Sequence, residues 1–223
     1  MINIHKSWKP ILNHLYRNPL KKLFNEILTE ISYQPSRNNI FRVFRKPVKD
    51  IKVVILKEAP YPIPIGNGLA YGINKNSPIP VELNLLLVES EAQERVNLTS
   101  LEFWEEQGVF LLHTSLTTET GHLNSHRLFW EDFIKKVIQF ISKEQPCIWL
   151  VWGEYNACYI QFILKPFFVK NYDKVTIKMI PSNEDWNYIL QAPSILSKEW
   201  VGNNHFIYTN EILKKTKNLK INW

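Results

Sequence analysis

The chain has 223 residues, 45% of them hydrophobic and 13% aromatic, with a formal charge of +6. That composition excludes a disordered or low-complexity chain, and the length suits one α/β domain, spanning 1–223, with a sizeable core. Cys147 and Cys158 are too few for a disulfide framework and too distant from each other and from histidines for a zinc site. A cytoplasmic monomer with no cofactor is therefore expected. The opening MINIHKSWKP has no apolar signal region and no run reaches membrane-spanning length, so no membrane partner is expected. The positive charge is compatible with nucleic acid but unspecific.

In chain order, residues 7–34 predict helix, because Trp8, Ile11, Leu12, Leu15, Leu20, Leu23, Phe24, Ile27, Leu28 and Ile31 recur at three- and four-residue spacing, with Pro19 separating two helices. A loop at Pro35–Asn39 precedes a short apolar element, Ile40–Phe44. Val53–Leu56 reads as a buried parallel strand. It runs into Lys57-Glu58-Ala59-Pro60-Tyr61-Pro62, where Pro60, Pro62 and Pro64 forbid helix and ladder pairing. Gly66 and Gly68 then supply positions open to positive φ. A stiff loop at the carboxyl end of a buried strand is where open α/β sheets bind ligands.

A second loop ends at Pro78–Pro80, and Val81–Glu94 predicts a helix. Val109–Leu112 is a second buried strand, with His113 at its end, read either as a satisfied structural histidine or as a ligand-facing one. Trp130–Lys143 predicts an amphipathic helix and Cys147–Gly153 a third buried strand. Glu154 then suits the positive end of a following helix. The fourth strand has two candidates, Val175–Ile180 and Tyr188–Gln191. The last helix presents Lys214, Lys215 and Lys217 as a solvated face. The expected architecture is a three-layer α/β/α domain with a central four-stranded, mainly parallel sheet.

These loops carry a resemblance. The strand Val53–Leu56 with Lys57-Glu58-Ala59-Pro60-Tyr61-Pro62, followed by Asn67-Gly68-Leu69-Ala70-Tyr71-Gly72, resembles the active-site segment of family 1 uracil-DNA glycosylases. There a similar strand runs into Gly-Gln-Asp-Pro-Tyr-His and then His-Gly-Leu-Cys-Phe-Ser. The segment from Trp104 to Thr117, then Asn124-Ser125-His126, Gly153-Glu154 and Ala192-Pro193-Ser194-Ile195-Leu196-Ser197 extend the likeness over nearly the whole chain. The last of these resembles His-Pro-Ser-Pro-Leu-Ser; Ile180-Pro181-Ser182-Asn183 is the competing frame.

The resemblance implies a pocket for a flipped base, made by Ala59, Pro60, Tyr61, Tyr71, His113 and Ala192. Tyr61 would be the wall that excludes a 5-methyl group, Tyr71 the stacking ring, and His113 would stand where the family's asparagine reads the uracil edge. Pro193, Ser194, Leu196 and Ser197 would meet DNA. The family's catalytic aspartate and histidine are replaced, by Ala59 and by Ala192 or Ile180. Val81 stands where a serine grips a phosphate, and Glu154 where another does; a carboxylate there repels phosphate. Lys57-Glu58-Ala59-Pro60 also resembles the Gly-Glu-Ala-Pro-Gly motif of the iron–sulfur uracil-DNA glycosylases, in which the glutamate is the site acid, although the cluster cysteines are absent. Three readings follow: a glycosylase-like protein with degraded chemistry that binds DNA or a protein partner; an active divergent glycosylase using Glu58 and His113; and a decoy for protein inhibitors of uracil-DNA glycosylase.

Overall fold

The computed structural model describes residues 3–15, 32–90, 98–165, 168–171, 176–181 and 186–223. Its strands are β1 (Tyr33–Gln34), β2 (Val53–Lys57), β3 (Val109–His113), β4 (Thr118–Glu119), β5 (Ile148–Trp152), β6 (Phe168–Asn171), β7 (Thr176–Pro181) and β8 (Trp186–Ala192). The α-helices among the described residues are α1 (Lys9–Leu15), α2 (Val81–Glu89), α3 (Glu102–Glu106), α4 (Arg127–Glu144), α5 (Glu154–Leu164) and α6 (His205–Lys217).

The central sheet runs β3-β2-β5-β8-β7-β6. Its first four strands are parallel, with Ile55 opposite Leu111 on one side and Leu150 on the other. Every residue of β2, β3 and β5 is buried, the signature of strands covered on both faces. Side chains alternate between two aromatic layers. On one face Trp8 stacks on Phe110 at 5.3 Å, with Phe44 at 5.0 Å and Phe140 at 6.1 Å, and Trp149 donates to Asn187. On the other, Trp152 meets Trp200 and Phe206, and Trp104 meets Trp223. Asn187 ties the first face together: its Oδ1 accepts from the Cys147 amide and the Trp149 indole, and its Nδ2 donates to the Ser142 carbonyl at the end of α4.

The central, mainly parallel sheet is as expected, with four parallel strands. Among the described residues it has two strands more, because both candidates for the fourth are strands: β8 completes the parallel set, while β7 and β6 add antiparallel strands at the edge. Their shorter apolar content hid the pairing. And α2 ends at Glu89, capped by the Ser90 amide on Leu86; residues 91–94 of the expected helix lie outside the described residues. So does 16–31 of the expected N-terminal helices; before it, Lys6–Trp8 is a 3-10 turn leading into α1. Ile40–Phe44 is also 3-10 in part, with Phe41 and Phe44 buried.

Candidate functional site

The loops after β2, β3, β5 and β8 leave the carboxyl ends of the parallel strands, and main-chain hydrogen bonds lock them in two pairs, β2 with β3 and β5 with β8. Thr114 N donates to Lys57 O and Ser115 N to Glu58 O, both at 2.8 Å. Ala70 N donates to Leu111 O at 3.0 Å, docking the second half of the long β2 loop onto β3. Gly153 N donates to Ala192 O at 3.1 Å, joining the β5 and β8 ends.

The Asn67–Gly72 segment is shaped by its own residues. Buried Asn67 accepts from Leu69 N at 3.0 Å and donates to Ser100 O at 2.8 Å. Gly68 has φ +93°, and a Cβ there would lie 2.2 Å from Asn39 O, so only glycine fits. Tyr71 itself is left-handed, with φ 64°, an uncommon state for an aromatic residue and a cost the surrounding bonds must hold. The result is a fully enclosed Tyr71 ring, 5.9 Å from Trp152 and close to Tyr61, whose hydroxyl points at Tyr71 O at 3.5 Å. Burial and the Glu82 carboxylate push both phenols well above the usual range, so both remain neutral donors.

Between these rings lies a residue the sequence reading assigned no role. Lys57 Nζ stands 4.8 Å from the centroid of Tyr61 and 4.9 Å from that of Tyr71, and pairs with Glu82 Oε2 at 2.6 Å. Its side chain is only 9% exposed. His113 is its register partner in β3, so both side chains project from the same face of the sheet. His113 is buried, and burial together with the Lys57 ammonium pushes its pKa down to about 3. It is therefore a neutral imidazole at any ordinary pH. A lysine ending a run of buried apolar residues, in place of the glycine of the resembled motif, was the available signal.

Ala59 is fully buried and Pro60 is buried beside it; neither brings a polar side-chain atom. Glu58 is half-buried and held: its Oε2 accepts from Asn124 Nδ2 at 2.8 Å, and its carbonyl accepts from the Thr114 hydroxyl at 2.9 Å. Ala192 is half-buried at the end of β8. Ile180 pairs with Asn187 in antiparallel β7, at the opposite end of β8, so the β8 frame is the one that reaches these loops. Beyond it Pro193 and Ser194 are exposed and Leu196 is 59% exposed. Ser197 caps the following turn, accepting from Glu199 N at 3.3 Å. Val81 is 67% exposed at the start of α2, and exposed Glu154 opens α5.

No family model matches the chain. Curated relatives do. The uracil-DNA glycosylase of Flavobacterium johnsoniae is 32% identical over 239 residues, covering 100% of this chain and 99% of its own length. That of Campylobacter jejuni is 31% identical over 239 residues, covering 100% of this chain and 94% of its own.

The chain belongs to the uracil-DNA glycosylase family.

The fold agrees. The crystal structure of mimivirus uracil-DNA glycosylase superposes with a TM-score of 0.75 at 21% identity, over 99% of this chain and 87% of that one. A mimivirus UNG variant in complex with UGI gives 0.74 at 22%, over 99% and 88%. Within this uracil-DNA glycosylase fold, Lys57, Tyr61, Tyr71 and His113 are brought together, Ala59 is buried two residues beyond Lys57, and Ser194 and Leu196 are exposed. A cavity of about 720 Å³ lies elsewhere, between the end of α2, α6 and the C-terminal tail. Among the described residues no group of histidine, cysteine or acidic side chains could hold a metal, and no helix is long and apolar enough to cross a membrane.

Proposed function

We propose that this family member has weak or no uracil-excision activity and acts by binding, to DNA or to a protein partner. The observation that carries the reading is Ala59, fully buried where the resembled motif has its acid. Hydrolysis of an N-glycosidic bond needs a carboxylate near the oxocarbenium-like sugar and a donor for the charge on the leaving base. Methyl groups at Ala59 and Ala192 supply neither. Each loss is worth about 10²–10⁴ in rate, and because groups in one site act together the combined deficit is nearer the smaller end, about 10⁴. Exposed Val81 and Glu154 weaken phosphate contacts and tilt the balance toward a protein partner. A fold neighbour bound to the protein inhibitor UGI supports the same direction and keeps the decoy role within this reading.

The test is base release from uracil-containing single-stranded DNA at high protein concentration, beside DNA-binding titrations. Turnover within about 100-fold of an ordinary family member would defeat the reading. One observation favours the active divergent alternative: Glu58 is a carboxylate oriented by Asn124 at 2.8 Å. If the native chain does excise uracil, Glu58→Gln decides whether that carboxylate is responsible.

A further inference from the structure

We infer that Lys57 is a tethered occupant of the recess between Tyr61 and Tyr71, and that it is the residue deciding which ligands the recess admits: it excludes a planar neutral base by filling the space in which the base would stack. This rests on the reading that Tyr61 and Tyr71 frame the base site.

Three observations meet at one atom. The Lys57 ammonium faces both rings at 4.8 and 4.9 Å, well inside the range of cation–π attraction. The Glu82 carboxylate, at 2.6 Å, closes a third side. The stem is fixed because Lys57 is the last residue of β2, paired in register with His113. Together these make an aromatic cage with an acidic wall, which is a site for an ammonium group. A base stacked on Tyr71 would place its atoms about 3.5–4 Å above the ring, inside the space the ammonium holds.

Displacing Lys57 is unfavourable for two reasons. It is covalently attached, so it returns at high effective concentration. And its departure strips Glu82 of its counter-charge beside two buried phenols, which a neutral base does not replace. The apparent affinity for a base is reduced by the fraction of molecules whose recess is open.

The experiment compares the native chain with Lys57→Gly, Lys57→Ala and Lys57→Met by calorimetric titration with free uracil. In parallel, thermal melting is followed with and without ethylammonium. Lys57→Gly or Lys57→Ala should bind uracil roughly ten-fold or more tighter than the native chain. Adding Tyr71→Ala should remove the gain. Lys57→Met, similar in length but uncharged, should stay closed to uracil. Ethylammonium should raise the melting temperature of the two truncated variants and leave the native chain unmoved; either truncation suffices if the other does not fold. Equal uracil binding by native and truncated chains would overturn the role of Lys57 while leaving the base site standing. Failure of every variant to bind uracil, with ethylammonium still stabilising, would overturn the exclusion by showing that the cage is no base site. Loss of the ethylammonium effect as well would overturn the cage.

Discussion

Glu58 and Asn124 meet across 66 residues of sequence, the carboxylate Oε2 accepting the asparagine amide at 2.8 Å. Asn124 sits at φ 64°, a left-handed position that asparagine tolerates better than most residues. The pair thus fixes the rotamer of the one carboxylate in the β2 loop. Glu58→Gln keeps an oxygen to accept this bond, so the melting temperature should fall by no more than a few degrees, corresponding to about 1 kcal/mol. If Glu58 is the carboxylate behind any base excision by the native chain, that excision should drop by about 100-fold or more on single-stranded substrate; an unchanged rate would remove Glu58 from the role.

On the proposed function, supplying an acid and an imidazole should raise activity if the loop frame is intact. With the recess opened by Lys57→Gly, adding Ala59→Asp and Ala192→His is expected to raise uracil release above the Lys57→Gly chain by about 100-fold or more. Ala59 is fully buried, so the aspartate alone should destabilise the fold by roughly 1–3 kcal/mol unless it finds donors. Release by the triple variant no faster than by Lys57→Gly would show that the loops have moved as well as the side chains.

The Lys57–Glu82 contact joins the end of β2 to the first turn of α2. Glu82→Gln leaves a mostly buried ammonium with a neutral partner and should cost about 1.5–3 kcal/mol in chemical denaturation. A neutral result would mean that the two Tyr rings hold the ammonium unaided.

Stability should fall in mild acid. His113 and His205 both have pKa values pushed down to about 3, in each case first by burial. The Trp152 indole donates to His205 Nδ1 at 2.9 Å, an arrangement that requires that nitrogen unprotonated. A histidine with a depressed folded-state pKa is neutral in the fold but protonates in the unfolded chain below about pH 6.5. The unfolded state then binds more protons, so stability is complete above that pH and is lost as pH falls toward 3, by up to about 1.4 kcal/mol per pH unit per histidine. Melting temperatures from pH 7 to 4 should show this slope, and His113→Asn should make it shallower.

The sequence carried the sheet's centre plainly because strands covered on both faces must be apolar throughout. Val53–Leu56, Val109–Leu112 and Cys147–Gly153 read as such, and the strands are Val53–Lys57, Val109–His113 and Ile148–Trp152. It was ambiguous at β7 and β8, where strands near a sheet edge need less burial and Thr176–Met179 alternates polar with apolar residues. A shared place for Tyr61 and Tyr71 was implied by the resemblance alone. The place of Lys57 was not, because its meaning depends on Glu82, 25 residues later, and on two rings that only the folded loop brings together. Periodicity treats such a lysine as the polar end of a strand.

The hydrogen bonds that join these loops in two pairs, Thr114 to Lys57, Ser115 to Glu58 and Ala70 to Leu111 for β2 and β3, and Gly153 to Ala192 for β5 and β8, run between backbone atoms. Backbone partners are indifferent to the side chains they pass. Positions 57, 58, 59, 113 and 192 can therefore exchange residues across generations without opening the sheet ends, so long as each newcomer is neutralised locally as Lys57 is. Such a scaffold separates heritable shape from heritable chemistry: a lineage can discard the reaction and keep the surface, and can regain a reaction by few substitutions.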